Sequence, residues 1–398
     1  MGLRAPSRRY PASGCVRRAL VVLAAVAIAA SALLASTARA SFYIRSGIFD
    51  DAQILYGNPD KVFPLLRAAN TELIRVNLWW GTPNGVAKRR PARASNPDDP
   101  AYDWATYDRT MQYASAYGQW VVFSIIGTPA WANRSKGWNA APTNAADLKA
   151  FAQAAARRYG GSYLGEDGRV LPKARSWIAW NEPNNPVFLR PQYRKAGSGW
   201  VIQSARDYAR ICNAIVQGVK AVPRSGKVAC GVTGPRGNNN PNSSRPSVSP
   251  LAFLRAMKIA GAKGFDAYAH HPYYGGPSET PLSAPPQGKR GQAPTAVTLG
   301  NLRVLTTELN RTYGNMRIWI TEYGYQTNPP DSIVGVSFAK QAQYVKQAYL
   351  AARTNARVDM FIWFLLVDEV RAAGWQSGLI TAGGRRKPSF KAFATMHG

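Results

Sequence analysis

After Ser41 the chain alternates between two kinds of segment, and that alternation limits its possible folds more than any single motif does. Short runs rich in β-branched and aromatic residues occupy 43–49, 73–79, 120–126, 177–180, 227–232, 265–270, 317–321 and 360–366. Several are near-continuously apolar, which is how strands buried on both faces read. Each is followed by a segment of helical spacing or composition: 60–69, 102–117, 145–159, 202–222, 250–260, 295–313, 338–354 and 388–396. In the third of these, Leu148, Phe151, Ala152, Ala155 and Tyr159 keep intervals of three and four, and Gly160 ends the run. Eight strands and eight helices in strict order predict an α/β protein built as a single (β/α)8 TIM barrel. An open, doubly wound sheet would alternate similarly. It needs a glycine-rich phosphate turn after its first strand, however, and residues 47–51 (GIFDD) contain one glycine. Stretches rich in Pro, Gly, Asn and Ser at 81–100, 234–249 and 275–294 each follow a strand. In a barrel they become extended βα loops on the C-terminal face, where active sites are built.

The first 40 residues read differently. Arg4, Arg8, Arg9, Arg17 and Arg18 precede an apolar run from Ala19 to Ala35, followed by Ala38-Arg39-Ala40. A basic region, an apolar region and a small-x-small site describe a signal peptide over 1–40 ahead of a catalytic domain at 41–398. An uncleaved anchor helix is the alternative, since the run approaches the ~18 residues at which spanning begins. Export predicts a secreted or cell-wall-associated protein with no stable membrane insertion once the leader is gone. It also permits a disulfide between Cys212 and Cys230, with two buried free thiols as the other possibility.

The formal charge is +29, and about +23 without the leader's six arginines. A basic surface favours anionic partners. Yet the basic residues are scattered (Lys88-Arg89-Arg90, Lys289-Arg290, Arg385-Arg386-Lys387), with no aromatic-laced cluster or nucleic-acid module. No nucleic-acid partner is expected, and the protein reads as a monomer. The histidines are His270, His271 and His397, and neither C-x-x-C nor H-E-x-x-H occurs, so no metal and no cofactor are expected.

Two glutamates end apolar strands. Trp177-Ile178-Ala179-Trp180 runs into Asn181-Glu182-Pro183, and Ile318-Trp319-Ile320-Thr321 runs into Glu322. A carboxylate there is expensive to desolvate unless something uses it, and the chain after the leader has only seven glutamates to place. Counting with a period of two, Glu182 shares a face with Ile178 and Trp180, and Glu322 with Ile318 and Ile320. Strands four and seven lie across the mouth of an eight-stranded barrel, so the two carboxyls can face each other over a pocket. Two opposed carboxyls, one protonated and one ionised, are the equipment for splitting a glycosidic bond. Arg75, inside the apolar second strand, is a cation that needs a carboxylate. Glu322 is the candidate, and an acid elsewhere is the alternative.

These residues resemble the retaining glycoside hydrolases of clan A, the (β/α)8 superfamily of cellulases and β-xylosidases. WNEPN (180–184) is similar to the clan's strand-four signature, and ITEYGY (320–325) to its strand-seven signature. The resemblance implies that Glu182 is the acid/base, Glu322 the nucleophile and Asn181 the holder of a sugar 2-hydroxyl. It implies that His271-Pro272-Tyr273 is the strand-six histidine-x-tyrosine, with Tyr273 near the nucleophile, and that Trp363 floors the sugar site. TPAW (128–131), which contributes Trp131 as a further substrate contact, and KPSFKAF (387–393) also match. A carboxyl separation of ~5 to 5.5 Å is the geometry implied.

Trp79, Trp80, Trp131, Trp138, Tyr274, Tyr323 and Trp375 fall at or beyond strand ends, where they can stack on sugars or simply pack. Asp50 and Asp51 can bind a sugar hydroxyl or cap the first loop. The expectation is an exported retaining glycoside hydrolase acting on a polysaccharide or oligosaccharide, anionic polymers among the candidates. A transglycosylase on the same scaffold and a non-catalytic carbohydrate-binding barrel are the alternatives.

Overall fold

Eight parallel strands close a barrel: β1 (Arg45–Phe49), β2 (Leu73–Trp79), β3 (Trp120–Ile126), β4 (Ser176–Ala179), β5 (Lys227–Thr233), β6 (Ala267–His270), β7 (Arg317–Tyr323) and β8 (Val358–Phe364). They neighbour one another in chain order, and β8 closes on β1 with Arg45 opposite Met360 and Phe49 opposite Phe364. This computed structural model describes residues 1–2, 43–286 and 295–396. The expected leader, Lys289-Arg290 and His397 lie outside them. A helix follows each strand: α1 (Pro59–Ala68), α2 (Ala105–Ala116), α3 (Ala145–Arg158), α4 (Gln203–Lys220), α5 (Pro250–Ile259), α6 (Leu302–Thr312), α7 (Phe338–Arg353) and α8 (Pro388–Ala394). The α/β barrel read from the alternation is therefore the fold found. A hairpin, Tyr193–Ala196 with Gly199–Ile202, is inserted between β4 and α4. Among the described residues no helix is long and apolar enough to cross a membrane.

The strands divide their side chains between two layers. Leu73, Val122, Ile178, Ala229, Ala267, Trp319 and Ile362 fill the barrel interior. Ile74, Phe123, Trp177, Val228, Tyr268, Ile318 and Phe361 join the larger core between strands and helices, each such burial contributing about 1.5–3 kcal/mol. Cys230 on the outward face of β5 is disulfide-bonded to Cys212 on α4, with Cα atoms 6.0 Å apart.

The alternation breaks at the C-terminal ends of the strands, and these breaks build the site. Beyond β4, Trp180 has φ 73° and Glu182 φ 33°, a region that costs a non-glycine residue about 1–3 kcal/mol. The turn lifts Asn181 and Glu182 into the mouth, while Trp180 packs outward and donates from Nε1 to Phe188 O at 2.7 Å. Between β7 and β8 the register slips: Ile320 is opposite Phe361, but Tyr323 is opposite Trp363. One extra residue on β7 forms a bulge there. The face expected for Glu322 is thereby corrected. Ile318 and Ile320 face the helices, Trp319 faces the interior, and the bulge turns Glu322 inward against the simple period of two.

Candidate active site

Arg75 organises the barrel mouth. As an inward residue of β2 it is wholly buried, and its guanidinium lies 4.3 Å from the centre of the Phe49 ring. Nε donates to Ser124 Oγ at 3.0 Å, Nη1 to Thr321 O at 2.9 Å and Glu322 Oε1 at 2.6 Å, and Nη2 to Asn181 Oδ1 at 2.7 Å. One planar fork thus joins β2, β3, the turn after β4 and β7. Glu322 is the acid that Arg75 meets, and Asn181 is held by the same side chain.

His271, one residue beyond β6, completes the link to Glu182. Its Nε2 lies 3.4 Å from Arg75 Nη1 and 3.0 Å from Thr321 Oγ1. A guanidinium can only donate, so Nε2 accepts and the ring proton belongs on Nδ1. Nδ1 in turn faces Glu182 Oε1 at 3.0 Å and Glu322 Oε2 at 3.6 Å. Burial pushes His271 down to about 3, which keeps the ring neutral. Its neighbour His270 is structural, lying 2.9 Å from Thr233 Oγ1 and 3.0 Å from Val297 O. Tyr273 donates its hydroxyl to Glu322 Oε2 at 3.2 Å.

Glu182 sits in tighter surroundings. Burial pushes its carboxyl from the ordinary 4.5 up to about 7, against smaller opposing effects of the Asn185 hydrogen bond and the Arg75 charge. A side chain at position 234 would put its Cβ 2.9 Å from Glu182 Cδ, so Gly234 is needed for the carboxyl to fit. Asn184 locks the turn from below, accepting from Gly234 N at 2.8 Å and donating to Val248 O at 2.9 Å. Ligand atoms of Glu182, His271 and Glu322 lie within 4.8 Å of one another. Three donors at that spacing can hold a metal ion, but here Arg75 already provides the positive charge at Glu322 and a proton occupies His271 Nδ1. The arrangement suits one protonated and one ionised carboxyl facing each other across a pocket better than metal ligation.

A pocket of about 900 Å³ opens over the pair, lined among others by Phe49, Asp51, Asn77, Asn181, Glu182, Phe188, Tyr273, Tyr274, Glu322, Phe364 and Trp375. The structure therefore brings Glu182, Glu322, Asn181, Arg75, His271 and Tyr273 together. It does not bring Trp363 or Trp131. Trp363 is fully buried on the outward face of β8, and its Nε1 donates to Ser377 O at 2.8 Å. The inward residue at that level is Phe364, and Trp375 on the following loop packs 5.3 Å from it and 5.6 Å from Tyr273. Trp131 points away from the pocket, donating to Ala87 O at 3.1 Å and packing edge-on against Trp80 at 5.5 Å. Trp80 and Tyr323 are core residues, and Trp79 packs edge-on against Trp138.

The loop carrying Trp375 is tied down from beneath. Lys387, almost fully buried, donates from Nζ to Asp368 Oδ1 and Thr327 Oγ1, both at 2.8 Å. This gives the KPSFKAF segment a role that its pattern alone did not state. Asp50 is consumed in capping: Oδ1 accepts from Gln53 N and Oδ2 from Leu366 N and Val367 N, each at 3.1 Å.

A model of a family of unknown function, DUF5722, matches residues 128–398. No curated protein matches the sequence. Solved structures share the fold. A family 39 glycoside hydrolase from Bacteroides cellulosilyticus WH2 superposes with a TM-score of 0.60 at 20% identity, covering 88% of this chain and 62% of its own. A glucosidase from Croceicoccus marinus gives 0.59 at 16% identity, with coverage of 88% and 66%. The chain thus spans just under two thirds of either. The GH53 catalytic domain from Ignisphaera aggregans gives 0.54 at 18% identity, with coverage of 88% and 95%. At these identities the likeness is one of fold.

Proposed function

We propose that this chain, which belongs to the DUF5722 family of unknown function, is a retaining glycoside hydrolase in which Glu322 is the nucleophile and Glu182 the acid and then the base. One observation carries the reading: a carboxylate oxygen of Glu182 and one of Glu322 approach within 4.8 Å across a pocket at the barrel mouth. Carboxyls about 5 Å apart leave room for a sugar carbon and no intervening water, whereas inverting enzymes need about 6.5–9.5 Å.

The roles follow from the surroundings. Glu182, held at about 7 by burial, keeps a proton near neutral pH and can deliver it to the departing oxygen. Glu322 receives Arg75 on Oε1 and Tyr273 on Oε2, which fixes its orientation and places a compensating charge beside the attacking carboxylate. Attack forms a bond from Glu322 to the anomeric carbon as the leaving oxygen takes the Glu182 proton. Glu182, now ionised, removes a proton from water as that water displaces Glu322. Asn181, fixed by Arg75, presents its amide to the same ring.

That the solved structures sharing this fold include a family 39 glycoside hydrolase and a glucosidase supports the reading. Export is supported by the leader pattern and by the Cys212–Cys230 disulfide, a bond favoured in oxidising compartments. A polymeric substrate, anionic ones included, is supported by Arg245 and Arg371, exposed side chains lining the pocket. The test is reducing-sugar release by residues 41–398 across β-glucans, xylans, mannans, galactans, arabinans and uronate-containing polymers, beside Glu322→Gln. Release by the parent alone supports the assignment. Binding by both proteins without release moves the reading to a carbohydrate-binding barrel.

A further inference from the structure

We infer that the hairpin inserted between β4 and α4, with the helix faces beside it, is a second, non-catalytic binding site. It takes a carboxylate-bearing polysaccharide, with a sugar face on Trp200 and acid groups on Lys195 and Arg206. The inference goes beyond the glycosidase reading and does not depend on it, because a chain can bind here whether or not Glu322 acts.

The hairpin pairs Lys195 with Trp200 across its two strands, and Lys195 Nζ lies 5.7 Å from the centre of the indole ring. Trp200 is 41% exposed, and it is not an isolated apolar residue on the surface. With Val201, Ala256 and Ile259, itself 87% exposed, it lines an open groove of about 670 Å³ between the hairpin, the first turns of α4 and the end of α5. On α4, Gln203, Arg206, Asp207 and Arg210 recur at intervals of three and four and form one wall. Asp207 is already consumed there: its Oδ1 accepts from Arg210 Nη2 at 2.6 Å and from Gln203 Nε2 at 3.0 Å. Arg206 is exposed, and among the described residues its guanidinium meets no acid and no hydrogen-bond acceptor. The Lys195 ammonium meets only the indole. The groove therefore has an apolar floor, and the charges left free beside it are positive.

A uronate ring matches that pattern, with C–H faces for the indole and a carboxylate at its edge for the cations. The core of a protein–protein interface is depleted of charge, whereas here arginines stand beside the exposed indole. The position of the hairpin suits a long chain. Tyr193 donates its hydroxyl to Ser247 O at 3.3 Å, which ties the hairpin to the loop that carries Arg245 at the pocket rim. Just before the hairpin, Gln192 donates from Nε2 to Pro183 O at 2.9 Å and Leu189 O at 2.6 Å, anchoring it to the turn that carries Glu182. Arg245, Lys195 and Arg206 thus stand on segments joined to one another and offer an acidic chain a run of cations from the pocket rim to the groove.

The test uses the protein carrying Glu322→Gln, so that no polymer is cleaved, and follows its retardation in native gels. The gels contain polygalacturonate or alginate, or the neutral polymers galactomannan and hydroxyethylcellulose, at low and high salt. Trp200→Ala is added to it, and separately Lys195→Ala with Arg206→Ala. A charge-matched control removes two exposed lysines on α7, Lys340→Ala with Lys346→Ala. Melting temperatures check that each variant is folded. The acidic polymers should bind, less strongly at high salt. Trp200→Ala should weaken that binding roughly 10-fold without changing the charge, the groove pair should weaken it at least as much, and the control pair should change it little. An equal loss in the control pair, or no loss in Trp200→Ala, overturns the site, because the protein's overall positive charge then does the binding. Equal retardation by the neutral polymers overturns the acidic ligand. Silence in every gel overturns the site, and binding confined to vesicles of phosphatidylglycerol and phosphatidylcholine overturns it in favour of a membrane surface.

Discussion

Replacing Glu182 with glutamine should stabilise the protein in alkaline solution and change little in acid. The carboxyl ordinarily titrates at 4.5, and burial raises it to about 7 in the folded state. Its side chain is only 12% exposed, so solvent screening removes little of the effect. Each tenfold change in proton affinity is about 1.4 kcal/mol. The folded protein therefore binds this proton about 3 kcal/mol more tightly than the unfolded chain does. The sign follows from linkage: an acid whose folded pKa is raised favours folding below the unfolded value, and that advantage is lost as pH rises through the folded value. Above pH 7 the wild type must hold a desolvated carboxylate. Glutamine is spared this, and it can still accept from His271 Nδ1. Any fixed cost at Asn185, whose Nδ2 donates to Glu182 Oε2 at 3.2 Å, cancels when one pair of proteins is compared at two pH values. Denaturant titrations of both proteins at pH 5 and pH 8 are the assay. The stability of Glu182→Gln relative to wild type should rise by about 2 to 3 kcal/mol between them. A difference that stays constant across that interval would refute the claim that Glu182 is a desolvated acid poised to donate a proton.

Other substitutions probe the rest of the account. Arg75→Met should cost about 3–5 kcal/mol by stranding buried Glu322 and should abolish turnover, with thermal melting and sugar release as readouts; near-normal turnover at lowered stability would make Arg75 purely structural. Cys212→Ser with Cys230→Ser removes a link across 18 residues and should lower stability by about 3 kcal/mol, while the parent under reductant should match the double variant. Trp375→Ala should raise KM more than it lowers kcat, whereas Trp363→Phe should lower the melting temperature and leave KM unchanged, because only Trp375 faces the pocket.

The barrel was legible because several strands read as near-continuous apolar runs and segments of helical spacing or composition alternate with them, so local pattern and global fold agree. Glu182, Glu322 and Arg75 were legible because the other charged residues of the strands, Arg45, Lys227, Arg317 and Asp359, sit in the first two positions, whereas these three stand inside or at the far end of an apolar run. The period of two failed where the chain departs from regular geometry. Glu322 reaches the pocket through a bulge, and Trp180 and Glu182 occupy left-handed backbone that no alternation anticipates. Trp363 was misplaced for a different reason: the resemblance of FIWFLL to the clan's strand eight implied a floor, but Trp363 lies on the outward face of β8 and Phe364 on the inward one.

The central claim is that Glu322 forms a covalent bond to the sugar, and the most direct measurement is intact-protein and peptide mass spectrometry after incubation with 2-deoxy-2-fluoro glycosyl fluorides of the gluco, xylo, galacto and manno series. Such reagents arrest a retaining enzyme at its glycosyl intermediate. The account predicts a single glycosyl adduct, localised to the peptide containing Glu322 and lost in Glu322→Gln. An adduct on another residue, or hydrolysis of the parent glycosides with no adduct from any of the reagents, would contradict it.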